Sequence, residues 1–127
     1  MKVVDASAMV DVLTRTERGT QLLPLFDDDL FAPDLLVPEV FSFLKRMIQE
    51  KRLTRPAADQ LALVLRQAPI EYLPTWPYSE KMWTWRHNLS SYDAVYVALA
   101  DDLRAPLVTT DSRLAKAAAD LVTIIAV

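Results

Sequence analysis

Residues 107–115 read Leu107-Val108-Thr109-Thr110-Asp111-Ser112-Arg113-Leu114-Ala115, a short apolar run closed by an aspartate and followed at once by a helical pattern. The chain opens the same way, with Lys2-Val3-Val4 running into Asp5-Ala6-Ser7. Short continuous apolar runs that lead into helices mark parallel strands buried on both faces. Working outward from these two stretches, strands are expected at 2–5, 70–73, 107–109 and 122–125. Helices are expected at 8–13, 18–26, 38–51, 56–67, 79–87, 91–103 and 112–119, and residues up to Pro33 read as turn-like and extended. The 38–51 helix is the clearest, because Val40, Leu44, Met47 and Ile48 recur at helical spacing and Pro38 suits a first helical position. Residues 91–103 are so apolar that this helix should be largely buried. Strands separated by helices predict a three-layer α/β/α fold around a parallel sheet of four to five strands.

Composition narrows the function. At 127 residues the chain is read as one domain, 1–127. Hydrophobic residues at 52% argue against disorder, and no apolar run approaches the ~20 residues that cross a bilayer. The first residues lack the basic and apolar regions of an export signal, so a cytoplasmic location without membrane contact is the expectation. With no cysteine, thiol nucleophiles and thiolate-held metals are excluded, which leaves oxygen to hold any metal. A single glycine, Gly19, excludes the glycine-rich phosphate cradles. The net charge of -3 argues against a general nucleic-acid binder. Charge is uneven, however: Lys45, Arg46, Lys51, Arg52, Arg55 and Arg66 share the middle of the chain, either as a solvated face or as a groove for phosphates. Asp27, Asp28 and Asp29 read as a solvated helix end.

In a parallel sheet, right-handed crossovers bring every strand-to-helix junction to one edge, where ligands bind. Asp5 and Asp111 sit at two such junctions, and Glu39 and Asp93 begin helices that can face the same edge. Each has an ordinary explanation as a helix cap or a partner for the helix dipole. Together they do not, because four carboxylates at one edge repel one another unless a cation lies among them. All-oxygen ligands suit Mg2+ or Mn2+. Glu39, Ser42 and Arg46 share one stripe of their helix.

Four segments together resemble the PIN-domain ribonucleases, and among them the VapC-type toxins of toxin-antitoxin pairs. They are Val3-Val4-Asp5-Ala6-Ser7, Pro33-x-Leu35-x-x-x-Glu39-Val40, Tyr92-Asp93-Ala94-x-Tyr96-Val97-Ala98-Leu99-Ala100 and Leu107-Val108-Thr109-Thr110-Asp111-x-Arg113-Leu114-Ala115. The resemblance implies a Mg2+- or Mn2+-dependent endoribonuclease whose quartet Asp5, Glu39, Asp93 and Asp111 binds the metal. It implies supporting roles for Ser7, Thr109 and Ser42, the last standing where many relatives carry Asn or another small polar residue. Arg46, Arg86 and Arg113 are candidate phosphate contacts. It further implies a tRNA or rRNA substrate, a homodimer, and a cognate antitoxin forming a hetero-oligomer with it, with the apolar surface of residues 40–65 as a docking site.

His87, the only histidine, reads as structural. For Trp76, Trp83 and Trp85, core or interface packing is expected ahead of base stacking. A receiver domain or a haloacid-dehalogenase-type phosphatase also places Asp after its first strand. The phosphatases need a second Asp two residues on, where this chain has Ser7, and no suitable lysine ends a late strand. A catalytically silent PIN fold that binds RNA or protein is the non-enzyme alternative.

Overall fold

Five strands form one parallel sheet in the order β3-β2-β1-β4-β5 in the computed structural model, which describes residues 1–27 and 29–127. The strands are β1 (Lys2–Val4), β2 (Leu30–Pro33), β3 (Ile70–Leu73), β4 (Leu107–Thr109) and β5 (Ile124–Ala126). The helices are α1 (Ala6–Leu13), α2 (Glu17–Leu22), α3 (Leu36–Gln49), α4 (Arg55–Gln67), α5 (Ser79–Thr84), α6 (Ser91–Leu103) and α7 (Ser112–Ala118). The strand order places the first two crossovers to one side of β1 and the return to β4 on the other. Right-handed connections then put α1–α4 on one face and α5–α7 on the opposite one. The reversal of direction between β1 and β4 is the switch point at which such sheets bind ligands.

The core forms where the sheet meets α6. Val3, Val4, Ala32, Leu107 and Val108 are fully buried, and so is the unbroken run Ala94 to Ala100 of α6. Burying each Val or Leu side chain contributes roughly 1.5–3 kcal/mol. Ion pairing of Lys81 with Asp101 and a 3.2 Å hydrogen bond from Tyr78 to Asp102 fasten the α5 region to α6. Gly19 lets α2 lie on α1: a Cβ there would sit 1.9 Å from the Asp11 carbonyl oxygen.

Several elements differ from expectation. Residues 30–33 form β2, a full member of the sheet beside β1. Its neighbouring aspartates and terminal Pro33 mask the strand pattern, but Pro33 closes the strand, where its missing N–H costs least. The third helix begins at Leu36, which makes Pro38 its third residue. The 18–26 helix is Glu17–Leu22 followed by a 3-10 turn, Leu23–Asp27. The 79–87 helix ends at Thr84, and the last strand starts two residues later than expected. The 8–13 helix starts at Ala6, directly behind Asp5. Trp76 and Trp83 are 82% and 70% exposed, so of the expected core or interface packing the core alternative does not hold for these two. Trp85 alone packs against the core. Of the acidic run 27–29, Asp28 lies outside the described residues, and the reading of the run as a solvated helix end goes unexamined with it. Among the described residues no helix is long and apolar enough to cross a membrane.

Candidate active site at the carboxyl edge of the sheet

The register of β1 on β4 pairs Val3 with Leu107 and Val4 with Val108, so the next residues, Asp5 and Thr109, meet at the sheet edge. The Asp5 N–H donates to the Val108 carbonyl at 3.1 Å, continuing the ladder by one bond. Asp5 is only 4% exposed and its carboxylate is enclosed by donors. One oxygen accepts from the Ala8 N–H and from the Ser7 hydroxyl, both at 2.8 Å, and so caps α1; the other accepts from the Thr109 hydroxyl. The network extends to the β4 loop, where the Thr110 N–H donates to Ser7 Oγ at 3.1 Å and the Asp111 N–H to Thr109 Oγ1 at 3.0 Å. Burial pushes the Asp5 carboxyl up to about 6, against the pull of the Thr109, Ala8 and Ser7 hydrogen bonds and with like charge from Asp111 adding to it.

Asp111 caps α7, its Oδ1 accepting from the Arg113 and Leu114 N–H groups at 3.0 and 3.2 Å. Asp93 is not a cap. Ser90 fills that role, its hydroxyl accepting the Asp93 N–H at 3.1 Å. Burial raises its pKa, Ser90 opposes the rise, Asp111 adds to it and Arg113 opposes it. Glu39 is half-buried in the first turn of α3, and the buried Tyr96 of α6 donates to its Oε1 at 2.6 Å. Burial raises Glu39 too, with Tyr96 opposing and Asp93 adding. Burial and Glu39 hold the Tyr96 proton well above the usual phenol range, so Tyr96 is a fixed donor.

Like charge connects the four carboxylates: Asp93 raises Glu39, and Asp111 raises both Asp93 and Asp5. Among the described residues no three of them converge closely enough to ligate one ion together as they stand. The donor set still fits a hard divalent cation, since it is entirely oxygen and each added positive charge would relieve the repulsion. Mg2+ in particular takes one or two carboxylates and keeps several waters.

Of the remaining predicted residues, Ser7 and Thr109 lie inside the network, whereas Ser42 is exposed on α3. Arg113 is exposed beside Asp93. Arg46 lies over the Phe43 ring, 5.7 Å from its centroid. Arg86 stacks on Trp83 at 4.6 Å and donates to the Trp83 carbonyl at 2.9 Å. Two residues escaped the sequence reading. Tyr96 looked like one more apolar position of a buried helix. The Arg18 guanidinium donates to the Thr110 carbonyl at 3.1 Å and ties α2 to the loop that carries Asp111.

The PIN domain family model matches residues 2–120. The chain belongs to the PIN-domain family. Within it the chain is of the VapC type: it is 38% identical over 114 residues to ribonuclease VapC9 of Mycobacterium tuberculosis, covering 90% of this chain and 88% of that one. It is 37% identical over 126 residues to ribonuclease VapC1 of the same organism, covering 91% and 89%. Among solved structures, PAE2754 from Pyrobaculum aerophilum superposes with a TM-score of 0.73 at 22% identity, over 98% of this chain and 89% of that one. A toxin-antitoxin complex from Klebsiella pneumoniae gives 0.69 at 20% identity, over 98% and 96%. The α/β/α PIN fold holds throughout, with five parallel strands as its centre.

Proposed function

We propose that this PIN domain is an endoribonuclease, the toxin of a toxin-antitoxin pair, and that Asp5, Glu39, Asp93 and Asp111 hold a Mg2+ or Mn2+ ion. The observation that supports the reading is that Asp5 and Asp111 follow β1 and β4, where the strand order reverses, while like charge reaches Glu39 from Asp93 and Asp93 from Asp111. The relatives, which are ribonucleases by name, support the reaction class. When bound, the ion supplies water activation and charge neutralisation at the scissile phosphate.

This chain's own residues do the rest. Asp5 stays at one position and in one rotamer because donors from Ala8, Ser7 and Thr109 surround it. Tyr96 aims Glu39. Asp111 is held at its backbone by Thr109 and at its following helix by its own cap, so its free oxygen has a fixed direction. The position of Arg113 beside Asp93, and of Arg46 in a cavity lined also by Glu39, supports phosphate contacts by both.

The second partner is a cognate antitoxin. The toxin-antitoxin neighbour supports it, and so does the apolar surface that Phe41, Leu63 and Val64 leave exposed on α3 and α4. We place the toxin in a homodimer within that complex, with tRNA or rRNA as target. Purified protein should cut RNA in Mg2+ or Mn2+ and stop in excess EDTA. Cleavage that continues at full rate in the chelator overturns the metal assignment.

A further inference from the structure

We propose that the cavity between α1 and α3 is a subsite for one nucleotide of the RNA, next to the bond that is cut; this rests on the nuclease reading above. The cavity measures about 320 Å3, within the size range of small-ligand sites. Ala6, Ser7 and Val10 of α1 form one wall, and Glu39, Phe43 and Arg46 of α3 the other. Both helices start at the carboxyl edge and run away from it, so the cavity opens from the candidate active site itself, sharing Ser7 and Glu39 with it. Glu39, Phe43 and Arg46 stand at successive turns of one stripe, and seven residues of helix span about 10 Å. Going outward from the edge, a ligand meets a carboxylate, then an apolar wall with an aromatic ring, then a guanidinium.

That sequence of surfaces fits a nucleotide. Its base has a flat apolar face for Phe43 and Val10, and its outer phosphate a charge for Arg46. The Arg46 guanidinium makes no hydrogen bond or ion pair among the described residues, and its contact with the Phe43 ring holds the cation beside the apolar wall. Asp11 also borders the cavity. One of its oxygens accepts from the Thr16 hydroxyl at 2.9 Å, and the other is an acceptor suited to a base N–H and hostile to a phosphate. The base therefore lies toward α1 and the phosphate toward α3. A protein side chain fits less well: an arginine would gain from Glu39 and Asp11 and be repelled by Arg46. A nucleotide uses Asp11 through its base and Arg46 through its phosphate.

The test is cleavage of a short single-stranded RNA that the wild-type protein cuts, with an abasic nucleotide scanned through the positions flanking the cut. At one flanking position the missing base should raise the wild-type KM roughly 5- to 100-fold, the range that base–aromatic contact supports, with little change in kcat. Phe43→Ala should show the raised KM on intact RNA and no further penalty at that abasic position. Phe43→Leu, which preserves packing, should lie between. Arg46→Gln should raise KM and reduce the salt dependence of log KM by about 0.7. All three variants should gain as much melting temperature from Mn2+ as the wild type, which separates a lost subsite from a damaged metal site. RNA cut by all variants with wild-type KM, or no flanking position sensitive to its base, overturns the subsite alone. RNA left uncut by the wild type in Mn2+ overturns the nuclease reading and the subsite with it.

Discussion

Asp5 and Glu39 lie at the same edge of the sheet and are held in opposite ways. Asp5 is buried at the meeting of β1 and β4, with a backbone N–H and two hydroxyls on its oxygens and the ladder fixing its backbone. Glu39 is half-buried on α3, and a single hydroxyl from α6, that of Tyr96, directs it. The β1–β4 half is set by elements whose register cannot slip without exposing a core strand. The α3–α6 half depends on how two helices from opposite faces of the sheet approach each other. Asp5 is thus fixed by several donors on its own edge, and Glu39 by one donor from the opposite face.

The largest effect expected from this contrast is on activity. Asp5→Asn leaves a carbonyl oxygen for Ala8 and Ser7 but removes the most rigidly held charge. RNA cleavage in Mg2+ should fall on the order of a thousandfold or more, as when several kcal/mol of charge stabilisation is lost. Cleavage within tenfold of wild type would mean that the fixed half is only scaffold.

Stability gives the next largest effect. The Asp5 pKa is raised to about 6 in the fold, so the folded state binds this proton more tightly than the unfolded chain does. Its contribution is fully present below the ordinary carboxylate range near 4 and is lost as pH rises through 6. In EDTA, the stability of wild type relative to Asp5→Asn should therefore fall by up to roughly 3 kcal/mol between pH 4 and pH 7.5. Added Mn2+ should restore it in wild type alone. Denaturant melts of both proteins across that range, showing a flat difference, would remove the burial argument.

The same contrast explains what the sequence made legible. The β1 and β4 junctions were readable because an apolar run ending in Asp is a local pattern, and parallel topology supplies the rest. Strand β2 was not, since Leu30–Pro33 is short, follows three aspartates and ends in proline, and only pairing with β1 and β3 makes it a strand. Tyr96 was hidden for a related reason. Its apolar neighbours assign it to a buried face, and its partner Glu39 is 57 residues away on another helix. Trp76 and Trp83 are not core residues, because the 3-10 turn and short helix that carry them pack on the core through Tyr78 and Met82 and leave the two indoles exposed. The four carboxylates stood out as candidates in the sequence because each opens a helix or ends a strand.

Tyr96→Phe sharpens the comparison at intermediate scale. The ring keeps its packing, and only the hydroxyl that aims Glu39 is lost. Mn2+ affinity and cleavage should each fall about 10- to 100-fold, as when the partner of a metal-binding side chain is removed. Stability in EDTA should change by about 1 kcal/mol. Titration of Mn2+ by its paramagnetic signal measures the first quantity without reference to activity. Unchanged affinity would mean that the α3–α6 half needs no aiming.

The smallest effect separates two residues that look alike in sequence. Asp111 caps α7 and Asp93 caps nothing, since Ser90 does so for α6. In EDTA, Asp111→Ala should lose the ~0.5–2 kcal/mol of a missing cap. Asp93→Ala loses no cap, and it removes a half-buried charge that Asp111 opposes, so it should melt no lower than wild type. Asn at either position should be nearly silent without metal, because Asn caps about as well as Asp and carries no charge to repel. With Mn2+ the two positions should behave alike: both Asn variants lack a charge the ion would meet, and both should gain much less melting temperature than wild type. Thermal unfolding with and without Mn2+ distinguishes the cases. Equal gains in all three proteins would make Asp111 a cap and Asp93 a surface charge, and would confine the metal to Asp5 and Glu39, one from each half.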